Sequence, residues 1–409
     1  MKRKLIVITI ALCILMILGM LKHKEKATII CATDLHYISD RINDRGELFQ
    51  KIVNSTDGKL AYYSEEIIDA FLKEVIETKP DVLILSGDLT FEGAKASHED
   101  LVKKLSTVKE AGVPVLVIAG NHDIDSNSAY QYQGSEYERA ESINAEEFAQ
   151  LYYEFGLKDA ISKDEYSLSY LYQLNDDLYI LMLDTNAYGQ NFIQDPSYEW
   201  IEEQLKMIKD QKADVITVSH QNLFAHNDML SFGYQLYDGD ELLELLNRYD
   251  VRCHLSGHIH LQHYQTDGVC EIVTSSLLVP PNQYGVIFYN GSYDYHTKPV
   301  DVSSWARKNG ITDENLLDFS NYASSFYRQV SAFRTMKRLA DYNLSDDELN
   351  AVLKAFGVLN ESYFAGSKLD INEIREGIDI IRSHEGFASK YFELMIEEAA
   401  NSYTSIKIR

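Results

Sequence analysis

Five short motifs in this sequence contain the aspartate, asparagine and histidine side chains that bind transition metals in proteins. Each motif follows a run of apolar residues, at the position where a buried strand would end. Each motif alone is a weak signal, with Gly-Asn-His-Asp and Gly-His-x-His moderately specific, but all five in this order in one chain predict a shared site. In chain order they are Asp34-Leu35-His36, Gly87-Asp88, Gly120-Asn121-His122-Asp123, Ser219-His220 and Gly257-His258-Ile259-His260.

The residue types indicate the chemistry of that site. Mixed oxygen and imidazole ligands suit manganese, iron, zinc, cobalt or nickel better than calcium or magnesium alone. Two such ions about 3.5–4 Å apart acidify a water molecule and clamp a phosphate group, which together allow hydrolysis of a phosphate ester at neutral pH. Two cations that close need a shared anionic ligand, and Asp88 suits this role because the preceding glycine permits a sharp turn. Asp34 and His36 can turn towards one ion, and His258 and His260 can serve one ion each.

The elements that must position these motifs are predicted by alternating apolar runs and helical patterns, which are typical of an α/β layered domain. In open α/β sheets, ligands bind at the carboxyl ends of the strands, so the strands would bring all five motifs together. The predicted strands are residues 27–33, 81–86, 113–119, 168–174, 178–183, 214–219, 251–256, 271–275 and 286–289. The predicted helices between them are residues 64–78, 96–111, 198–211 and 240–249.

Two polar insertions interrupt this alternation, at residues 39–60 and 125–166. The second is rich in tyrosine, which would either pack an irregular loop or stack on a base or sugar. Beyond about residue 301 we expect no further strands. Residues 316–339, 345–356, 371–383 and 387–402 show helical periodicity. We therefore predict a catalytic domain at 27–300 and a C-terminal all-α domain at 301–409.

These motifs resemble those of the calcineurin-like metallophosphoesterase family, which includes purple acid phosphatases, phosphoprotein phosphatases and bacterial cyclic nucleotide phosphodiesterases. The resemblance covers residues 27–290 and every motif of the family. It implies the metallophosphoesterase fold, in which two mixed β-sheets are packed as a sandwich flanked by helices. It also implies two divalent or trivalent transition-metal ions as cofactors, with manganese, iron and zinc as the main candidates.

The same resemblance implies a role for each candidate residue. Asp88 would bridge the two ions, and His122 would contact the phosphate and protonate the leaving oxygen. Asp123 would orient His122, as carboxylates commonly do for imidazoles. The resemblance assigns Asp34, His36 and His260 to the first ion, and Asn121, His220 and His258 to the second. Independently of it, Asn222 and His226 lie in a loop after His220 that we expect to border the site.

The net charge of −25 argues against polymeric nucleic acid as a partner, because such binding needs basic surface. Bound metal ions would still attract a small phosphorylated substrate. The motifs and the C-terminal helices together resemble bacterial cyclic nucleotide phosphodiesterase-like proteins, which implies a phosphodiesterase of nucleotide-like or other small phosphodiesters. The alternatives are a phosphomonoesterase of the same fold and a non-catalytic binding protein. The presence of both Asp88 and His122 argues against the second alternative.

The N-terminus predicts attachment to a membrane. Residues 2–4 are basic and precede an uncharged, almost wholly apolar stretch at residues 5–21. No small-residue cleavage site follows, which favours an uncleaved signal anchor over a cleaved signal peptide. We therefore expect residues 1–26 to anchor the protein, with the catalytic domain outside the cytoplasm, or secreted if the segment is cleaved. The sequence leaves the oligomeric state open.

Overall fold

The structure is a computed structural model, and it describes residues 24–227, 229 and 233–409. The predicted anchor or signal segment at residues 1–26 lies outside the described residues, except for its last three positions. Among the described helices, none has both the length and the apolar character that crossing a bilayer requires. Membrane attachment and localisation therefore stay predictions.

Strands and helices alternate along most of the chain, and helices dominate its C-terminal part. The strands are β1 (Ala27–Ala32), β2 (Val82–Ser86), β3 (Val115–Ile118), β4 (Tyr130–Gln133), β5 (Glu136–Arg139), β6 (Ser162–Lys163), β7 (Tyr170–Asn175), β8 (Leu178–Met182), β9 (Asp214–Val218), β10 (Cys253–Ser256), β11 (His263–Asp267), β12 (Val269–Val273), β13 (Gln283–Tyr289), β14 (Tyr293–Pro299) and β15 (Ser405–Ile408). The helices are α1 (Glu47–Ser55), α2 (Ser64–Thr78), α3 (Lys95–Glu110), α4 (Ala145–Leu151), α5 (Asp195–Asp210), α6 (Gly239–Arg248), α7 (Val302–Lys308), α8 (Glu314–Leu317), α9 (Phe319–Met336), α10 (Asp346–Phe364), α11 (Arg375–Arg382) and α12 (Phe387–Glu398).

Two mixed β-sheets form the centre of the fold. Within the described residues, the first sheet has six strands in the order β15-β14-β13-β1-β2-β3, and the second has seven in the order β11-β12-β10-β9-β8-β7-β6. The neighbours β1, β2 and β3 are parallel, and so are β8, β9, β10 and β12. Parallel strands end at the same edge of their sheet, so the loops that follow them are neighbours.

The two sheets pack face to face. Ile29 and Ile84 of the first sheet share a buried apolar cluster with Ile216 and Leu255 of the second. Helices α2 and α3 cover the outer face of the first sheet, and α5 and α6 cover that of the second. Central strands are thus buried on both faces, which explains why they appear in the sequence as continuous Val, Ile and Leu runs. The predicted sandwich of two mixed sheets flanked by helices is confirmed.

The C-terminal region is helical, as predicted, and it packs against the sandwich. Helices α10, α11 and α12 share a buried core with Ile259 and Val273 of the second sheet and its loops. Strand β15 then returns to the first sheet, where it pairs with β14. The prediction that strands cease near residue 301 is therefore wrong. Ser405–Ile408 is a half-exposed edge strand, and its conformation depends on hydrogen bonds from β14 rather than on a local apolar run.

Both polar insertions contain regular structure that the sequence pattern did not predict. Helix α1 lies in the first, and the β4–β5 hairpin and α4 lie in the second. Tyr132 and Tyr152 of the second insertion are buried in the apolar cluster between the first sheet and its outer helices, whereas Tyr137 and Tyr153 are exposed. The two buried rings favour a packing role for this part of the tyrosine-rich segment.

A buried carboxylate on β12 holds the loop that follows β9. Glu271 accepts hydrogen bonds from the backbone amides of Leu223 (2.7 Å) and Phe224 (2.8 Å), from the Ser256 hydroxyl (2.6 Å) and from His226 Nε2 (2.8 Å). Burial raises the pKa of Glu271, but the neighbouring His226 and the other donors outweigh this and lower the pKa to about 2. The carboxylate is therefore stabilised in its ionised form, and it fixes the loop that begins at the end of β9.

We predict that Glu271→Gln lowers the free energy of unfolding at neutral pH by about 3 kcal/mol, because it breaks a buried, charge-assisted network. Since the folded pKa lies below the ordinary value of 4.5, the ionised carboxylate stabilises the fold above about pH 4.5, and this contribution is lost as the pH falls towards 2. Urea unfolding followed by circular dichroism at several pH values would measure the difference. The exposed Glu199→Gln is the control. A difference from wild type that does not shrink on acidification would contradict the assignment.

Candidate metal centre

The five predicted motifs lie on loops at the carboxyl ends of five strands, β1, β2 and β3 of the first sheet and β9 and β10 of the second. The sandwich brings these loops together at one edge. The candidate ligands form two overlapping groups, and Asp88 belongs to both. Within each group, the ligand atoms lie within 4.8 Å of one another. The first group is Asp34, His36, Asp88 and His260, and the second is Asp88, His220 and His258.

In the first group, imidazole nitrogens surround two buried carboxylates. His36 Nε2 lies 3.1 Å from His260 Nε2 and 3.7 Å from Asp88 Oδ2. His260 Nε2 lies 3.3 Å from Asp34 Oδ1. The side chains of Asp34, His36 and Asp88 are almost completely buried. The group is therefore a compact, water-poor set of nitrogen and oxygen atoms.

The second group meets the other oxygen of Asp88. His220 Nε2 lies 3.4 Å from Asp88 Oδ1 and 3.1 Å from Asn121 Oδ1. His220 Nδ1 donates to the Ser86 carbonyl at 2.8 Å, which leaves the Nε2 lone pair directed into the group. The structure thus places Asn121 beside the second group, as the sequence predicts. The carboxylate of Asp88 faces one group with each oxygen.

A buried carboxylate oxygen tests whether these residues fit a metal ion. Asp34 Oδ2 accepts hydrogen bonds from the Thr33 hydroxyl (2.7 Å) and the His258 amide (2.9 Å). Asp34 Oδ1, in contrast, is buried and accepts no hydrogen bond of good geometry, and His260 Nε2, itself a candidate ligand, lies 3.3 Å from it. A buried, unsatisfied carboxylate oxygen costs free energy unless a cation binds it. Because this oxygen lies within the first group, the donor set fits a bound metal ion.

Backbone conformation also marks these loops. Non-glycine residues rarely adopt positive φ angles, and such angles, which cost free energy, cluster at functional sites. Backbone hydrogen bonds between the loops hold this conformation, from Asp34 N to Gly87 O and from His36 N to Asp88 O, both at 3.0 Å. Five candidate ligands are affected: Asp34 (φ 51°), His36 (40°), Asp88 (47°), His258 (68°) and His260 (61°).

The local charges favour the ligand forms of two of these groups. Burial, together with the nearby Lys59, holds the pKa of His36 well below its usual value, so its imidazole is neutral. Burial opposes ionisation of Asp88, but His220 and His122 outweigh it and hold its pKa well below the ordinary range. Burial lowers the pKa of His220, whereas Asp88 raises it to about 9. Metal binding through His220 would therefore release a proton, so metal affinity should rise with pH.

His122 lies at the rim of the centre with a side chain that is 30% exposed. Its Nε2 is 3.9 Å from Asp88 Oδ2, and its Nδ1 is 3.3 Å from Glu92 Oε2. Burial lowers the pKa of His122, but Asp88 and Glu92 raise it to about 9. The ring therefore offers an N–H group at the edge of the metal-ligand cluster.

The structure corrects the expected role of Asp123. Oδ1 of Asp123 accepts from the backbone and hydroxyl of Thr90, and Oδ2 accepts from the amides of Leu89 and Gly120. These bonds occupy both oxygens, and the carboxylate that contacts His122 belongs to Glu92. The prediction that Asp123 orients His122 is wrong. Asp123 instead ties the loop after β2 to the loop after β3.

Three further charged residues lie beside the centre and were missed in the sequence. One is Glu92, and the other two belong to the first polar insertion. Lys59 Nζ is buried 3.5 Å from His36 Nε2 and 3.5 Å from Asp57 Oδ2, and Asp57 Oδ2 is also 3.5 Å from His260 Nδ1. Asp57-Gly58-Lys59 has the composition of an ordinary turn, so no sequence signal distinguishes it.

The two residues expected to border the site through the loop after His220 support it instead. His226 is buried against Glu271 and lies 2.8 Å from His263 Nδ1, away from the two ligand groups. Asn222 is buried and donates to the Ser256 hydroxyl and the Gly257 carbonyl, at 3.1 and 2.9 Å. It therefore fixes the turn that leads into His258.

Comparisons with known proteins agree with this geometry. A family model described as calcineurin-like phosphoesterase matches residues 27–262, and one described as the C-terminal domain of cyclic nucleotide phosphodiesterase matches residues 301–402. A probable glycerophosphodiester phosphodiesterase, GpdQ, of Arcobacter nitrofigilis is 24% identical over 273 residues, which cover 62% of this chain and 86% of that protein. A probable cyclic nucleotide phosphodiesterase of Synechococcus sp. is 49% identical over 47 residues, only 12% of this chain and 17% of that protein.

Among solved structures, a dimetal phosphatase from Danio rerio superposes with a TM-score of 0.47 at 13% identity, covering 66% of this chain and 95% of that one. A purple acid phosphatase from yellow lupin seeds gives a TM-score of 0.44 at 13% identity, covering 68% of this chain and 52% of that one. The calcineurin-like model itself matches more than half of the chain and contains all five motifs. This chain therefore belongs to the calcineurin-like phosphoesterase family.

Proposed function

We propose that the chain is a dinuclear metal-dependent phosphodiesterase that hydrolyses nucleotide-like or other small phosphodiesters. The observation that carries the proposal is the carboxylate of Asp88, which faces a separate ligand group with each of its oxygens. Preference for a diester is supported by the match of the C-terminal region to a phosphodiesterase domain. It is also supported by the names of two of the relatives, a probable glycerophosphodiester phosphodiesterase and a probable cyclic nucleotide phosphodiesterase.

The candidate ligands divide between two metal ions. Asp88 would bind both, and the mixture of carboxylate, amide and imidazole groups favours manganese, iron or zinc. Such ions supply Lewis-acid activation of water and of the phosphate group. Asp34, His36 and His260 would complete one site, and Asn121, His220 and His258 the other.

His122 is the residue placed to transfer a proton. Its Nε2 faces the Asp88 carboxylate, and Glu92 holds Nδ1 from the opposite side of the ring. A phosphate bound at the cluster would lie beside this N–H, which would donate its proton to the leaving oxygen. Asp123 acts indirectly, since it fixes the loops that carry Asp88 and Asn121.

Relative activity on a diester and a monoester separates a phosphodiesterase from a phosphomonoesterase. We expect the full chain with added manganese to hydrolyse bis-p-nitrophenyl phosphate with a higher kcat/KM than p-nitrophenyl phosphate. Asp88→Asn should lower kcat/KM for the diester about 100-fold or more, because both metal sites lose their shared anion. Asp210→Asn, an exposed substitution of the same type at the end of α5, is the control. Preference for the monoester would change the assignment to a phosphomonoesterase. Inactivity on both substrates with manganese, iron and zinc would contradict the assignment of the chain as an enzyme.

Diesters with leaving groups of different basicity test whether His122 is the proton donor. His122→Ala should lower kcat/KM for methyl phenyl phosphate about 100-fold or more, because phenolate is a poor leaving group without a proton. The loss with methyl p-nitrophenyl phosphate should be much smaller, since p-nitrophenolate leaves readily. Glu92→Gln keeps the imidazole and should show the same trend with smaller losses. Equal losses on the two diesters would assign His122 to binding rather than proton transfer.

A further inference from the structure

A cavity of about 410 Å³ joins the metal-ligand cluster to the C-terminal helices. His258 and His260 lie at one end of its wall, and residues of α9 and α12 form the other side. The cavity is larger than a single phosphate group needs. Whatever part of a diester lies beyond the scissile phosphate would therefore contact the C-terminal region.

Three cationic side chains line the helical side of this cavity. Arg334 is in the last turn of α9, Lys337 is its C-cap residue and Arg338 is in the turn that follows, and all three line the cavity. Like charges on one cavity wall repel one another. A helix C-terminus favours a cation, but that effect does not explain three of them on the cavity face.

Asp57 lines the same cavity as these three cations but forms no ion pair with any of them. Arg328 pairs with Glu361 and Arg382 pairs with Glu393, as is expected in a chain of net charge −25. Within the part of the chain that the structure describes, Arg334, Lys337 and Arg338 form no ion pair with a carboxylate. A cationic wall without a paired carboxylate, in a protein of net charge −25, offers a place for an anionic ligand.

Exposed aromatic rings lie next to the cations. The guanidinium of Arg338 is 4.8 Å from the centre of the Phe387 ring, and Lys337 Nζ is 5.6 Å from that of Phe333. Phe387 and Phe333 are 47% and 49% exposed, although both line the cavity. Exposed rings of this kind stack on nucleobases, and adjacent arginines strengthen that contact. Phe387 already packs parallel to the Tyr391 ring, with centroids 6.2 Å apart, so the exposed Phe333 ring is the freer of the two.

The cationic face is held close to the metal-ligand cluster. Arg334 Nη1 donates to the Thr56 carbonyl at 3.4 Å. The next residue, Asp57, has its Oδ2 3.5 Å from Nδ1 of the candidate ligand His260. A molecule of nucleotide size that is bound at the cluster would therefore reach both the cations and the rings.

We propose that this cavity binds a second phosphate group and the base of the substrate, so that the preferred substrates are short nucleotide diesters with an additional phosphate. The inference rests on the proposed phosphodiesterase function and narrows its substrate class. Arg334, Lys337 and Arg338 hold the additional phosphate, for which guanidinium groups are suited by their paired N–H donors. Phe333 and Phe387 contact the base. Simple diesters without a second phosphate leave this face unused.

The test compares two substrates that differ only in that phosphate, thymidine 5′-(p-nitrophenyl phosphate) and its 3′-phosphorylated form, on the full chain with manganese. We expect kcat/KM to be about tenfold higher for the 3′-phosphorylated diester, the gain typical of charge-assisted hydrogen bonds. Arg334→Gln and Arg338→Gln should bring the ratio close to one. Arg375→Gln, which removes an exposed arginine outside the cavity, should leave the ratio unchanged. Each ratio is measured on one protein, so partial misfolding of a variant does not alter it.

A binding measurement separates this inference from the proposed function. On the full chain with manganese, calorimetry would compare thymidine 3′,5′-bisphosphate with thymidine 5′-monophosphate. Tighter binding of the bisphosphate that is lost in Arg338→Gln supports the subsite even if no diester is hydrolysed. Equal binding of the two ligands, or an equal loss in Arg338→Gln and Arg375→Gln, overturns the subsite. Hydrolysis of both diesters with a ratio of one would do the same while leaving the phosphodiesterase assignment intact.

Discussion

The structure depends above all on the buried carboxylate of Asp88. A buried anion is costly unless cations or hydrogen-bond donors surround it, and the cost amounts to several kcal/mol. The imidazoles of His122 and His220, from loops of different sheets, lie beside this carboxylate, and the His122 amide donates to its Oδ1 at 2.9 Å. Compensating Asp88 therefore requires the two sheets to meet at this edge, which couples the architecture of the sandwich to the chemistry of the site.

Two other buried carboxylates hold the loops in place, Asp123 in the loop after β3 and Glu271 on β12. Asp123 accepts backbone amides from the segments after β2 and β3, and Glu271 accepts backbone amides from the segment after β9. In both residues the two oxygens are occupied by such donors. Asp123 therefore helps to keep Asp88 at positive φ, a conformation that the local sequence would not hold alone. The C-terminal helices then close the cavity over the assembled loops.

Much of this arrangement could be predicted from the sequence because it follows from local pattern. Continuous apolar runs predict the central strands, and the carboxyl ends of parallel strands are neighbours, so Asp34, Asp88 and His220 could be placed together. Glu92 and Lys59 could not be placed at the centre from the sequence, because loop geometry and packing between distant segments bring them there. The predicted role of Asp123 was wrong because its hydrogen-bond partners are mostly backbone amides of other loops, and no sequence motif indicates such partners. Strand β15 depends on pairing with β14 and carries no apolar run of its own.

The central claim, that Asp88 holds two metal ions at once, is tested most directly by electron paramagnetic resonance of the full chain reconstituted with manganese, together with its metal content. The account predicts about two ions per chain with the spectrum of an exchange-coupled pair, as expected for ions about 3.5–4 Å apart. In Asp88→Asn the coupled signal should disappear. One ion per chain, or two ions with uncoupled spectra in the unsubstituted protein, would contradict the account.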